Sequence, residues 1–145
     1  MPTVQDVLAV KGTTVHSIAP SATVLEATQK MNAHKLGALL VMVDGQVVGM
    51  FTERDVLRRV VAEERNPAQC TIAEVMTTDV ICCHAGDDLD EISAIMQQKK
   101  IRHVPVCDSG GRMMGMISIG DVNAYHASNQ EMHINFLSEY IYGRV

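Results

Sequence analysis

Thr52 and Asp55, and again Ser118 and Asp121, stand three positions apart inside two similar phrases, GMFTERDV at Gly49–Val56 and GMISIGDV at Gly115–Val122. A hydroxyl followed at that spacing by a carboxylate suits two kinds of chemistry. It can cap a helix, the hydroxyl oxygen accepting a first-turn N–H while the acid complements the positive helix end. It can also hold a nucleotide: the helix start offers N–H groups to a phosphate, the hydroxyl adds a donor, and the carboxylate is left to accept both ribose hydroxyls. At about 1.5 to 3 kcal/mol per charge-assisted bond, a carboxylate on a cis-diol supplies roughly 3 to 5 kcal/mol before desolvation. That is a large share of micromolar binding, about 8 kcal/mol.

The basic residues near these phrases are unequal. Arg54 and Arg58 follow the first hydroxyl, whereas Gly120 and Asn123 or Tyr125 stand near the corresponding places of the second. Arg102 and His103 precede a core run of the second copy, where the first has Gly37 and Ala38. An arginine fork suits phosphate oxygens and a histidine adds one donor; the alternative for Arg102 and His103 is a solvated rim. Two equivalent sites are therefore not expected. No catalytic or metal residue is assigned. His16, His34, His84, His103, His126 and His133 are scattered, with no H-E-x-x-H, G-x-S-x-G or phosphate-loop motif. Cys70, Cys82, Cys83 and Cys107 lack zinc spacing and read as reduced thiols.

The phrases belong to a repeat that runs through most of the chain. KLGALLV (35–41) faces KIRHVPV (100–106), TVLEATQKM (23–31) faces DLDEISAIM (88–96), TTVHSIAPSA faces TDVICCHAGD, and TVQDVL (3–8) faces TIAEVM (71–76). Each copy offers a short β-prone run, VHSI or VICC, and then a turn signal. Thr23-x-x-Glu26 and Asp88-x-x-Glu91 have capping-box spacing, and Val24, Ala27, Met31 or Leu89, Ile92, Met96 follow as one helical stripe. Two strands come next, ALLVMV and VVGMF or HVPVCD and MMGMI, joined at Asp44-Gly45 or Ser109–Gly111 as hairpins. A second helix opens at Thr52 or Ser118.

The expectation is an α/β (α+β) fold, two copies of strand-helix-strand-strand-helix packed about a pseudo-twofold axis. Copy one takes residues 1–66 and copy two 67–126, with a helical tail over 127–145. About sixty residues rarely stabilise alone, so the copies should share a core. The ten methionines suit that core. Gly49 and Gly115 mark a close approach, of backbone or of ligand, or a turn or bulge.

Two tandem units, each ending in hydrophobic-Gly-hydrophobic-hydrophobic-[Ser/Thr]-x-x-Asp, resemble a pair of cystathionine-β-synthase (CBS) domains, a Bateman module. The resemblance covers roughly residues 1–126. It implies a regulatory fold that binds AMP, ATP, NAD(H) or S-adenosylmethionine in clefts between the repeats, with no cofactor required. It further implies adenine against apolar backbone at Val15 with His16 and at Val80 with Ile81. The expected ligand set is then Thr52, Arg54, Asp55, Ser118, Asp121, Arg102, His103, Val15, His16, Val80 and Ile81. The alternative is a structural protein-interaction module whose pockets bind no nucleotide.

Composition narrows the partners. Charged residues make up 20% of the 145-residue chain and the formal charge is −5, with no broad basic face of the kind nucleic acid requires. The longest apolar run, ALLVMV, is far too short to cross a bilayer, and no leader pattern opens the chain. A cytoplasmic sensor is expected, dimeric with itself and acting on a separate protein target. The tail supports the dimer expectation through a helical stripe of Met132, Phe136, Leu137, Tyr140 and Ile141.

Overall fold

The structure, a computed structural model, describes residues 1–129. The tail stripe Met132–Ile141 lies outside the described residues. Two copies of the repeating unit pack about a pseudo-twofold axis in a mixed α/β fold.

Helix α1 spans Val4–Lys11, strand β1 Ser17–Ile18, helix α2 Val24–His34, and strands β2 and β3 Ala38–Val43 and Gln46–Thr52. A short helix α3 (Glu53–Asp55) continues as a π-helix over Val56–Val61. The second copy adds α4 (Ile72–Val75), α5 (Leu89–Lys99), β4 (His103–Cys107), β5 (Met113–Ser118) and α6 (Ile119–Asn129).

The starts and stops follow local chemistry. Thr23 accepts the N–H of Glu26, and Asp88 accepts that of Asp90. These caps are one-sided, because among the described residues no bond returns from Glu26 or Glu91. Both helices bury the expected stripes and end on a left-handed lysine, Lys35 at φ 56° and Lys100 at φ 57°. Asp44 and Gly45 both take positive φ and close the β2–β3 hairpin in two residues, the geometry whose twist matches the strands.

The sheets are unequal. In the first, β1 pairs parallel with β2 and β2 antiparallel with β3; in the second, β4 and β5 form a hairpin alone. The strand expected at VICC is reduced to one parallel bridge between Cys83 and Val106. Only Cys83 reaches the hairpin, its N–H bonding Pro105 O at 2.9 Å and its carbonyl accepting the Cys107 N–H at 2.8 Å. The chain then turns away, where the His84 N–H bonds the Asp87 carboxylate at 2.8 Å and the Asp87 N–H returns to His84 O at 3.1 Å.

Each copy also opens with a helix that its hydrophobic pattern did not single out, and these helices are exchanged. Val4, Val7 and Leu8 of α1 lie in the core of the second copy, with Leu89, Ile92, Met96, Val104 and Ile117. Ile72 and Val75 of α4 lie in the core of the first, with Val24, Leu39, Val41 and Phe51. Backbone bonds fasten both exchanges: Val4 N–H to Asp87 O (3.0 Å) and Leu89 N–H to Pro2 O (3.0 Å) on one side, Ile72 N–H to Ala22 O (2.9 Å) and Val24 N–H to Cys70 O (2.8 Å) on the other. A third cluster joins the sheets, where Ala38, Leu40 and Met50 meet Val15, Val80, Met42, Met113 and Met116. Methionine fills this irregular seam because its unbranched chain adapts to it.

Candidate functional site

The repeated glycines sit where a neighbouring segment crosses the hairpin. Gly49 faces Val41 at a bulge, and a Cβ there would come within 2.7 Å of Met76 Sδ and 2.9 Å of the Thr77 carbonyl. At Gly115 the added atom would meet Leu8 Cδ2 at 2.9 Å. The close approach is therefore made by the protein itself, through the residues that follow α4 and through Leu8 within α1.

That crossing places Thr77 over Asp55. Asp55 is 6% exposed. Its Oδ2 accepts the Thr52 N–H at 2.9 Å, completing a capping box, and its Oδ1 accepts the Thr77 hydroxyl at 3.1 Å. The Arg59 guanidinium lies 3.6 Å from the same Oδ1. The carboxylate is thus not left free, as the spacing alone suggested. Roughly four lone-pair directions are available on a carboxylate, and the Thr52 hydroxyl, 3.3 Å from Oδ2, brings the partners to four, so a further donor must displace one of them.

The π-helical stretch presents its arginines to this carboxylate and beyond. The N–H of Ala62 bonds Leu57 O at 3.0 Å, five residues back, which inserts one residue into the turn and re-aims the side chains. Arg59 donates to Met76 O at 2.9 Å, holding the end of α4, while Arg58 faces the cleft. Arg54 crosses to the second copy and donates to Lys100 O at 2.7 Å, the carbonyl of the residue capping α5.

The result is a cleft of about 270 Å³ between the copies, close to the roughly 300 Å³ at which small-molecule pockets begin. Thr52, Arg54, Asp55 and Arg58 line it from the first copy; Val80, Ile81, Arg102 and His103 line it from the second. Seven of the residues expected from the sequence therefore share one cavity, and Gly37, Met50, Glu53, Arg59, Thr77, Asp79, Lys100 and Ile101 complete it. The two basic sets, separated in sequence, are brought to the same place. His103 is held below the ordinary histidine range, chiefly by burial and then by the Lys11 ammonium, so its ring is neutral at pH 7.

Four expected residues lie elsewhere. Val15 packs into the seam between the sheets, and His16 stacks against His34 with ring centroids 4.3 Å apart. Ser118 and Asp121 repeat the capping box, Asp121 Oδ2 accepting Ser118 N–H at 2.8 Å. Asp121 is then bound by the Lys11 ammonium at 2.6 Å. Burial opposes its charge, but the bonds from Lys11 and Ser118 outweigh that and hold its carboxyl below the usual range. Thr77 and Lys11 are the functional neighbours that the sequence reading missed. Both sit just past the TIAEVM and TVQDVL segments, whose pairing in the repeat was the available signal.

Among the described residues, no group of three or more His, Cys, Asp or Glu side chains is placed to hold a metal ion, and no helix is long and apolar enough to cross a membrane.

The sequence profile of the CBS domain matches twice, over residues 4–62 and 72–127. The chain belongs to the CBS domain family. It is 32% identical over 118 residues to the CBS domain-containing protein YhcV of Bacillus subtilis, covering 81% of this chain and 83% of that protein. Its fold is similar to that of the CBS-domain protein ATU1752 from Agrobacterium tumefaciens, with TM-score 0.82 and 37% identity over 86% of this chain and 99% of that one. It is also similar to the CBS domain pair of MJ0100, solved with 5′-methylthioadenosine and S-adenosyl-L-methionine, with TM-score 0.76 and 25% identity over 89% of this chain and 98% of that one. The matched CBS segments begin at α1 and α4, the exchanged helices.

Proposed function

We propose that this CBS pair is a regulatory binding module, not a catalyst, which takes an adenosine-containing ligand into the cleft between its copies and relays occupancy to a separate protein. The observation that carries this reading is the convergence of Thr52, Asp55, Arg54 and Arg58 from one copy with Arg102, His103 and the Val80–Ile81 backbone from the other. An apolar wall, a carboxylate whose Thr77 hydroxyl partner a ribose hydroxyl can displace, and a ring of guanidinium groups match the base, ribose and phosphate of one nucleotide. The adenosine ligands of the MJ0100 pair support the ligand class. Because the ligand touches both copies, its binding energy depends on their relative packing, and it shifts that packing by its difference in affinity for the two arrangements.

Self-association completes the proposal. Leu57 and Val61 stand 62% exposed one turn apart on the π-helix and form an apolar ridge suited to a homodimer contact. The proposed setting is the cytoplasm.

Titration calorimetry of adenosine, AMP, ATP, NAD, NADH and S-adenosylmethionine against wild type and Arg102→Ala tests the site. Loss of a charge-assisted bond costs about 1.5 to 3 kcal/mol, so AMP and ATP should weaken roughly tenfold or more in the variant while adenosine changes little. The phosphate advantage should also shrink with added salt. An equal change for all three removes Arg102 as a phosphate reader. No binding of any ligand by wild type favours the alternative, in which Asp55 serves only the Thr52 cap and the Thr77 contact.

A further inference from the structure

The two leading helices differ in length, and the difference decides what meets each repeated carboxylate. Leu8 of α1 lies against Gly115 just as Met76, after α4, lies against Gly49, so the helices are placed equivalently in the two copies. Helix α4 stops at Val75 and the chain turns extended at Met76, which delivers the Thr77 hydroxyl to Asp55. Helix α1 runs on to Lys11 and ends only where Gly12, at φ 97°, returns its N–H to Leu8 O at 2.7 Å. The additional turn carries Lys11 onto Asp121, where its ammonium donates to Oδ2 at 2.6 Å and to Met116 O at 2.5 Å.

These occupants are not equivalent toward a ligand. A threonine hydroxyl rotates away from Asp55 without leaving a charge unpaired. Moving Lys11 breaks a charge-assisted bond at a half-buried pair, with side chains 32% and 26% exposed. A ribose diol offers neutral donors in exchange. It therefore competes well for Asp55 and poorly for Asp121.

We infer that Lys11 is an internal occupant of the second carboxylate site, so that the chain binds one adenosine-type ligand, at Asp55, and substitution of Lys11 opens a second site at Asp121. The inference rests on the nucleotide reading above and adds the number of sites and the residue that sets it.

The test is calorimetric stoichiometry with AMP and, separately, with S-adenosylmethionine, on the full chain as wild type, Lys11→Ala and Lys11→Met. The methionine variant keeps the aliphatic stem in case alanine loosens α1. Wild type should bind one equivalent and either variant two, the second at least tenfold tighter than any second event in wild type. Asp121→Ala in the Lys11→Met background should return the count to one. Two equivalents in wild type, or one in wild type and still one in both variants, overturns the role of Lys11 and leaves the Asp55 site standing. No binding in any protein overturns the nucleotide reading and this inference together, whereas binding only after Lys11 is replaced overturns the Asp55 site alone.

Discussion

Asp55 serves the fold and the cleft at once, and its surroundings say how the two are divided. Replacing it by alanine leaves the part-buried Thr52 N–H and Thr77 hydroxyl without their acceptor and removes the ion-pair partner of the half-exposed Arg59. Asp55→Ala should therefore lose about 2 kcal/mol of stability, measured by denaturant unfolding, in addition to any loss of ligand affinity. Asp55→Asn keeps one acceptor oxygen and should recover much of the stability but not the affinity, since the ribose contact relies on charge. His103 gives a pH signature of known sign. Its folded pKa is below the unfolded value of 6.5, so the folded state resists protonation. Its contribution to stability is complete above 6.5 and is lost as pH falls from there toward the folded pKa. Thermal melts across pH 5 to 8 should lose this increment in wild type and not in His103→Gln. The thiols are graded likewise: burial above all pushes Cys83 up to about 12, and burial with the neighbouring Cys82 thiol pushes Cys107 to about 11. Iodoacetamide near pH 8 should accordingly label exposed Cys82 before either, as peptide mass spectrometry would show.

At the scale of elements, the parts written in local chemistry were legible and the parts set by contacts distant in sequence were not. ALLVMV became β2 over its whole length because a continuous apolar, β-prone run, a turn and burial all agreed. The caps at Thr23, Asp88, Thr52 and Ser118 were readable from spacing. The VICC strand shrank to its last residue, Cys83, after which the chain turns away at His84–Asp87, and α4 was missed because four residues show too little periodicity. The π-helical register after Asp55 has no single-sequence signature, although it helps aim Arg58 and Arg59. The purpose of the glycines was visible only once the crossing segments were seen. At Gly49 a methyl group would strike the Thr77 backbone oxygen, which cannot retreat without losing the Met50–Thr77 bonds of 2.8 and 2.9 Å. At Gly115 it would strike only the end of the Leu8 side chain, which can turn aside. Gly49→Ala should thus cost about 1 to 3 kcal/mol and weaken ligand binding through a displaced Thr77, while Gly115→Ala should cost distinctly less. Equal destabilisation of the two variants would contradict this reading of the crossing.

At the scale of the molecule, the repeat was evident in the sequence but the exchange of leading helices was not, because TVQDVL and TIAEVM carry the same apolar pattern and fit either core. The exchange has a mechanical consequence. A chain divided between residues 66 and 67 gives two pieces of one repeat each, yet the first piece lacks α4, whose Ile72 and Val75 fill its core, and the second lacks α1, whose Val4, Val7 and Leu8 fill the other. Units of about sixty residues have little stability to spare, and the loss of two or three buried aliphatic side chains at about 2 to 5 kcal/mol each exceeds it. Neither fragment should unfold cooperatively alone by circular dichroism, whereas mixing them should restore a single transition and the cleft together, since every wall of that cleft depends on both. Cooperative folding of either fragment alone would show that the exchanged helix is dispensable to that core. The same coupling suits the cleft to the proposed sensing role: Thr77 and Asp79 arrive with the segment that follows α4, Asp55 with the hairpin that α4 supports, and Arg102 with the strand that α1 supports. A ligand that draws these groups together works against the packing of both cores, so its occupancy is felt throughout the molecule and not at one loop.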